Sequence, residues 1–558
     1  MVLQLLVDQL KLRFPDLDLN AWYLDDGTIV GTKQTLLLLL PILVEEGAKL
    51  GLHLNREKTI VWCLHENTDM VSEVSERLID YTAFAQWAIP CTSSAHKTLG
   101  SPFGSKSGCD LLLLRKVKKI ECIMEGVIDL DSTQAKYYLF MVSGIYARYN
   151  YWLRTVPASH MENTLLELDK LWSKVVATLL PGIVIDDWLA ARLSLPFSLS
   201  GVNLPIPSKV AKCAYVGSVI GSVPVQAALL KVSPETLYTK YNQLVANFNS
   251  CLSDTALHVA TPTLIESKAP QHVCMAILGK QVINTILLKD EVGSFRKGLV
   301  RSCLLPGSGL VFQTAPLGDR DFNFFLNNRE FDVIFRSYLG ISRRDAVVAC
   351  PLKCRSMLDP QGIHAEICNS TQGASMIHNA VRDQILIECR NAGLKVYKET
   401  QYLLNDSGDK PADIFFPAGP YGVPVALDLV KACPLSGNGI VDDHFVERVI
   451  VEKENYKNSK YLARCAEVGI QFSPLVFLSQ GGFSNTMNKY LDFIAKAYCT
   501  RYNHLWSPIA ASLRMRIAMV VARFRAHAIL AREAELLSAD HRKGDWIVLP
   551  DKLVKVFN

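Results

Sequence analysis

Long apolar runs are missing from this 558-residue chain. The longest purely apolar stretch, Leu36 to Val44, covers nine residues and includes Pro41, against the roughly 20 needed to cross a bilayer. Glu45, Glu46 and Lys49 follow at once, so neither a membrane segment nor a membrane partner is expected. A secretory signal is lacking too, and the cysteines number 15, an odd count spread along the chain that argues against a disulfide scaffold. Together these absences point to a reducing compartment and an intracellular protein, nuclear if the host is eukaryotic. An excess of one charge is also missing: 59 Lys+Arg face 54 Asp+Glu, and a net +5 is too small at this length to announce a nucleic-acid partner. What is present is core material. With 49% apolar, 9% aromatic and 20% charged residues, the chain reads as globular, with room for roughly two to four domains.

The chain opens on an amphipathic pattern, with Leu3, Leu5, Leu6, Leu10 and Leu12 apolar and Asp8, Lys11 and Arg13 polar. A turn at Pro15 and a strand at 20–24 follow, and no domain is expected ahead of them. Trp22-Tyr23-Leu24-Asp25-Asp26-Gly27-Thr28-Ile29-Val30 sets two β-prone runs around an Asp-Gly pair. That is a tight-hairpin signature, in which glycine supplies the positive φ of the turn. Adjacent carboxylates at such a tip can hold magnesium against a phosphate, because hard oxygen ligands suit it. An acidic exposed turn is the plain alternative.

This stretch resembles motif C of reverse transcriptases, Tyr-x-Asp-Asp. Gly51-Leu52-His53-Leu54-Asn55-Arg56-Glu57-Lys58 is similar to the motif D that follows it, and Leu99-Gly100-Ser101-Pro102-Phe103-Gly104 to the hairpin that grips the primer. The details resemble the non-LTR retrotransposon branch. The resemblance implies that Asp25 and Asp26 are palm carboxylates, that Lys58 helps pyrophosphate leave, and that DNA and RNA are the partners. One departure stands out. Two-metal phosphoryl transfer needs a further carboxylate, which the family takes from a strand well upstream, and only 22 residues precede Tyr23. Asp8, Asp16 and Asp18 are too near the hairpin to serve. A partial palm that does not polymerise by itself is the expectation.

From Ser107 to about Ile341 the apolar spacing is helical, notably over Leu111–Met124, Ala135–Leu153 and Met161–Leu180. Arg115, Lys116, Lys118 and Lys119 form a basic patch that suits either a solvated face or a nucleic-acid backbone. The run from Tyr146 to Arg154 is rich in aromatic and basic residues, able to stack on bases or to pack on other helices. By resemblance this region is thumb and linker.

Cys350, Cys354, His364 and Cys368 place three thiols and an imidazole within 19 residues, ligand types that suit tetrahedral zinc. Asp359-Pro360-Gln361-Gly362 lets the chain reverse between the pairs. Four unrelated residues in a cysteine-rich chain are the alternative. The set resembles the Cys-Cys-His-Cys knuckle of non-LTR elements that carry a restriction-like endonuclease.

After it the pattern predicts a helix over Ser375–Asn391 ended by Gly393, strands over Leu394–Lys398, Ala412–Phe416 and Val423–Lys431, a helix over Phe445–Val468 and a strand over Ile470–Leu478. That α-β-β-β-α-β order is also the core order of restriction-like nucleases. Asp413 falls at a strand start, and Asp428 follows after 14 residues, amid Val425, Ala426, Leu427, Leu429 and Val430. A carboxylate there is costly to bury unpaired, so a magnesium ion or a buried salt bridge should accompany it. Lys431 points to the face opposite Asp428, because side chains alternate along a strand. Retroelement members resemble Lys-x-x-Lys-Tyr on the next helix, here Lys457, Lys460 and Tyr461, which implies that one lysine stabilises the phosphate; a solvated face is the alternative. By the same resemblance His378 and Arg382, four apart on one helical face, are phosphate-binding candidates, with Asp383 a minor one.

Ser507–Leu537 reads as a surface helix with a packed apolar side that carries Arg514, Arg516, Arg523, Arg525 and Arg532, contact with a partner or a DNA backbone being the alternative, and Trp546–Phe557 as a small closing strand or tail. The fold class expected is a multidomain α+β chain: partial palm (1–105), helical thumb and linker (106–341), zinc knuckle (342–370), restriction-endonuclease-like α/β domain (371–500) and helical tail (501–558). The function implied is magnesium-dependent nicking of DNA, with the polymerase lost; the alternative is a decayed reading frame or a non-catalytic nucleic-acid-binding remnant.

Overall fold

The computed structural model describes residues 2–62, 82–92, 94–144, 146–318, 322–352, 354–368, 373–401, 403–404, 410–437 and 440–541. Helix α1 (Val2–Arg13) lays Leu6 and Leu10 against Leu39 and Leu43 of α2 (Lys33–Lys49), and Trp22, Ile29, Leu52 and Leu54 close over the same cluster. The nine-residue apolar run therefore forms part of a packed helix.

Strands β1 (Leu19–Tyr23) and β2 (Asp26–Val30) pair antiparallel with Tyr23 opposite Asp26. The turn is thus Leu24–Asp25, not the expected Asp26–Gly27. Leu24 takes the positive φ, +55°. Gly27 instead faces Trp22 across the ladder, where an added Cβ would stand 2.6 Å from the indole ring. Glycine serves close approach there, not turn geometry. Among the described residues β1 pairs with β2 alone.

Short parallel strands β3 (Val61–Trp62) and β4 (Cys91–Thr92) flank helix α3 (Thr82–Ala85). Strands β5 (Ala95–Thr98) and β6 (Ser101–Gly104) form a second hairpin, whose turn residues Leu99 and Gly100 both have positive φ. Its tip is clamped. The Tyr151 hydroxyl donates to the Leu99 carbonyl and the Lys116 ammonium to that of Gly100, each at 2.7 Å.

Helix α4 (Lys106–Ile128) then begins on a Ser105 cap. The helix expected over Ala135–Leu153 is in fact α5 (Thr133–Leu139), a π-helical turn (Phe140–Gly144) and α6 (Tyr146–Thr155). The inserted residue of a π turn rotates the apolar stripe, a break that residue spacing alone does not reveal. α7 (Glu162–Leu179) lacks a side-chain cap of its own; buried Asp110 of α4 supplies one, accepting from the Asn163 and Thr164 amides. The helical body continues through α8 (Asp187–Ser194), α9 (Pro207–Gly221), α10 (Val223–Leu230), α11 (Pro234–Asn249), α12 (Thr261–Glu266), α13 (Pro270–Val282) and α14 (Ser294–Cys303) to α15 (Asn328–Leu339). A capping box of Asn327 and Glu330 starts α15 and Gly340 ends it. Among the described residues no single helix is long and apolar enough to cross a membrane; only the bent pair α9 and α10 reaches that composition, and α9 buries Val210, Cys213, Val216 and Ile220 in the protein.

Strands β7 (Val348–Ala349) and β8 (Met357–Leu358) make a small hairpin, followed by α16 (Ile363–Ile367). Next come α17 (Gly373–Asn391), β9 (Tyr397–Lys398), β10 (Ile414–Phe416), β11 (Val425–Ala432), α18 (Phe445–Glu467) and β12 (Gln471–Leu478). The sheet order is β12-β11-β10-β9, with β11 and β12 parallel and the other pairs antiparallel. The order of elements is the one expected from periodicity. β9 is shorter than predicted because three-residue β10 offers it only Ile414 and Phe415 to pair with. α18 is the crossover that a parallel pair requires. It covers one face of the sheet, Tyr461 and Cys465 against Ala426 and Phe472. α17 and α19 (Asn485–Tyr502) cover the other, Ile377, Val381 and Leu491 against Leu427, Leu429 and Leu475.

The last helix, α20 (Trp506–His541), has the packed apolar side expected of it, but it is built more deeply into the protein than a surface helix. Met519, Ala522, Ala526 and Ile529 join the core of the helical body, which also takes in Leu358 and Ala365, while Leu513, Ile517 and Val521 join the core of the sheet. Its arginines face inward: Arg514 pairs with Asp492, Arg516 with Glu388, Arg525 with Glu366 and Arg532 with Glu535, and Arg523 donates to the Asn323 and Phe325 carbonyls. Most of those partners are distant in sequence, which is why the stripe of arginines reads as solvated. The Trp546–Phe557 stretch lies outside the described residues.

Candidate functional site

Two constellations stand close to the four-stranded sheet. In the first, the β7–β8 hairpin carries Cys350 and Cys354, closed by the Cys350 amide donating to the Ser356 carbonyl and by Arg355 in the left-handed region. Asp359 then builds the short helix that delivers the other two residues. Its carboxylate accepts from the Gln361, Ile363 and His364 amides, and Gly362 turns with φ +82°. Cys350, Cys354, His364 and Cys368 thereby bring one ligand atom each to within 4.8 Å of one another. Bonds of about 2.0–2.3 Å to zinc place tetrahedral ligands a little under 4 Å apart, so the set fits a metal such as zinc. The Cys354 thiol is drawn down to about 6, chiefly by a hydrogen bond from the Ser356 backbone, so it is a thiolate at neutral pH. Burial pushes Cys350 up to about 11, and a metal would have to displace its proton.

In the second, Asp413 directly precedes β10 and Asp428 sits in the middle of β11. The strand pairing stops at Ile414, and the Asp413 carboxylate takes over as acceptor for the Leu429 amide at 2.7 Å. Its other oxygen lies 3.1 Å from His378 Nε2 of α17. The two carboxyls share a hydrogen bond, and Lys457 of α18 reaches Asp428 Oδ2 at 2.7 Å. Burial pushes Asp428 up to about 6, against the pull of Lys457 and with the help of the Asp413 charge. Burial also opposes ionisation of Asp413, but the bonds from His378, Asp428 and the Leu429 amide hold its carboxyl below the ordinary value. One carboxyl that ionises readily thus stands beside one that keeps its proton only up to about pH 6, with a cation at hand. Asp428 does form the salt bridge that was the alternative to a metal, yet Lys457 remains 26% exposed and Asp413 17%.

The chain matches no protein-family model and no curated protein.

Lys460 sits 4.8 Å from the ring of Tyr461, and it is Lys457 that reaches the carboxylates. Arg382 is buried between Asp383 and Glu399 rather than open to a phosphate. Glu399 was not anticipated from the sequence. It has φ +44°, pairs with Arg382 and Lys410, and donates its amide to the Asp413 carbonyl, so it braces the strand start from behind. Nothing in its local pattern marks it.

Asp25, Asp26 and Lys58 are exposed, the aspartates at the hairpin end and Lys58 in the turn after α2. Among the described residues they gather no further carboxylate, imidazole or thiol into a metal-sized cluster. The 558-residue chain is therefore expected to incorporate no nucleotide on a primed RNA template; template-dependent extension by the purified chain would overturn this. The basic and aromatic residues of α4 and α6 do meet. Lys116, Lys119, Arg148 and Trp152 line an open groove of about 450 Å³ with Ile120 and Ile123, Lys116 lying 5.2 Å from the Trp152 ring.

Proposed function

We propose that this chain is a metal-dependent DNA endonuclease derived from a non-LTR retroelement. The observation that carries the reading is the convergence of Asp413, Asp428 and Lys457 on one point at the sheet. Two hard oxygen donors suit magnesium, which needs only one or two carboxylates and completes its shell with water and substrate phosphate. Asp413 and Asp428 would hold that ion, which when bound would supply an activated water and charge neutralisation at the phosphate. Lys457, whose ammonium lies 2.7 Å from Asp428 Oδ2, would supply positive charge to the pentavalent phosphate. His378 orients Asp413 through its 3.1 Å contact and keeps that carboxylate ionised. The Cys350–Cys368 set would act as the knuckle beside this domain, with zinc in a structural role. The reading extends to DNA and RNA as partners through the likeness of Tyr23-Leu24-Asp25-Asp26 to a reverse-transcriptase palm.

The test is direct. Supercoiled plasmid with magnesium should be converted to the nicked form by the wild-type chain, and no conversion at any divalent cation concentration would favour a non-catalytic remnant. The two lysines separate further. Lys457→Met should slow nicking roughly a hundredfold, the size seen when one preorganised charge is removed, whereas Lys460→Met should leave the rate nearly unchanged. Equal effects would withdraw the assignment of Lys457.

A further inference from the structure

Glu366 lies two residues after His364 and two before Cys368, on a helix only five residues long. Its carboxylate is fully buried. Arg525 of α20 donates to Oε1 from Nε at 2.9 Å and from Nη2 at 2.6 Å, and Nη2 also reaches Ser337 of α15 at 2.9 Å. From the other side comes Lys431 of β11, its side chain 9% exposed, donating to the Glu366 main-chain carbonyl at 2.7 Å with its ammonium 3.9 Å from Oε2. One buried carboxylate thus faces two cations, each from a different segment, inside the protein. Removing Glu366 would leave both cations buried without a counter-charge, whereas removing Lys431 leaves Glu366 paired with Arg525 and takes away only the tie to β11.

Lys431 stands three residues beyond Asp428 on the same strand, roughly 10 Å along it. A strand in a close-packed interior transmits a shift at one end to the other. At the far end of the link, α16 has little internal hydrogen bonding and depends on the Asp359 cap and on the ligands at 364 and 368. A metal on those ligands would fix the position of the Glu366 carbonyl to which Lys431 donates.

We propose that Lys431 is a positioning residue: by tying β11 to the helix that carries His364 and Cys368, it makes the metal state of the thiol cluster set the geometry of the Asp413–Asp428 pair. The acidic pair's role rests on the function proposed above; the coupling itself does not. It follows that a structural metal site governs a second, carboxylate site through main-chain position, without sharing a ligand.

The experiment uses the full chain, zinc-loaded and zinc-stripped, and reads two quantities: amide hydrogen exchange of residues 425–432, and calcium binding by calorimetry, calcium serving as a cation that binds without turnover. In the wild type, stripping zinc should speed exchange in β11 and weaken calcium binding about tenfold, while α7 keeps its protection as internal reference. Lys431→Met should retain its zinc, show both changes already, and show no further change in either when zinc is stripped. Lys431→Arg should restore the wild-type pattern. Wild-type exchange in β11 of Lys431→Met, or an effect of stripping that adds in full to that variant, overturns the proposal. If the wild type binds no calcium, the reading of the acidic pair fails while the exchange measurement still decides the coupling. Should Lys431→Met not fold, Lys431→Gln replaces it with the same outcomes.

Discussion

Asp428→Asn should lower magnesium-dependent nicking on the order of a thousandfold and at the same time make the metal-free chain more stable above pH 6. The two effects have one cause. A carboxyl in the middle of β11, flanked by Leu427 and Leu429, is held near pKa 6 by burial against the partial compensation of Lys457. The native state therefore keeps this proton more tightly than the unfolded chain, whose aspartates release theirs near pH 4. Between those values the folded form binds more protons, so its stability falls as pH rises, and above about pH 6 the whole cost of the buried charge is present. Asparagine fills the same volume without the charge. Its advantage should be on the order of 2 kcal/mol at pH 8 and should vanish below about pH 4. Urea unfolding of both chains across pH 4–8 in magnesium-free buffer checks this. A variant less stable than wild type at pH 8 would mean that the pair with Lys457 outweighs desolvation, and a variant that nicks at the wild-type rate would remove Asp428 from the chemistry.

Replacing Cys350 and Cys354 together by serine should take the zinc content from about one per chain to none and lower the melting temperature by on the order of 10 °C. Serine hydroxyls do not replace thiolates as zinc ligands, and Cys354 is the ligand most ready to bind, its thiol already drawn down to about 6. The stability loss should exceed that of a peripheral knuckle. Leu358 and Ala365, on either side of the Asp359 turn, are packed into the helical core with Met519 and Ile529 of α20. Elemental analysis and calorimetry on the purified double variant provide the measurements. Unchanged zinc would remove the assignment of the ligand set; lost zinc with unchanged melting would show that the hairpin folds without its metal.

The resemblance to non-LTR elements has different weight along the chain. Around Asp25 and Asp26 it rests on a hairpin whose carboxylates are exposed and gather no third one among the described residues. Around Asp413 and Asp428 it meets a buried, mutually bonded pair with a lysine attached. The proposed nuclease role therefore draws on geometry as well as motif, and the expected palm on motif alone.

Periodicity in the sequence by itself determined the α-β-β-β-α-β order, because strand and helix repeats are local properties of ten or so residues. Strand alternation likewise put Lys431 on the face opposite Asp428, and ligand chemistry singled out Cys350, Cys354, His364 and Cys368. The tertiary structure decided what depends on partners far away in the chain. Lys457 and Lys460 share a helical face, and only the approach of α18 to β11 chose Lys457 for Asp428. The arginines of α20 look solvated along the sequence and become internal because Glu366, Glu388 and Asp492 reach them from other elements. Gly27 is placed by the Trp22 ring across a ladder, not by the turn its Asp-Gly pair suggests. A buried charge is stable only where its counter-charge arrives, and that arrival is a property of packing rather than of spacing.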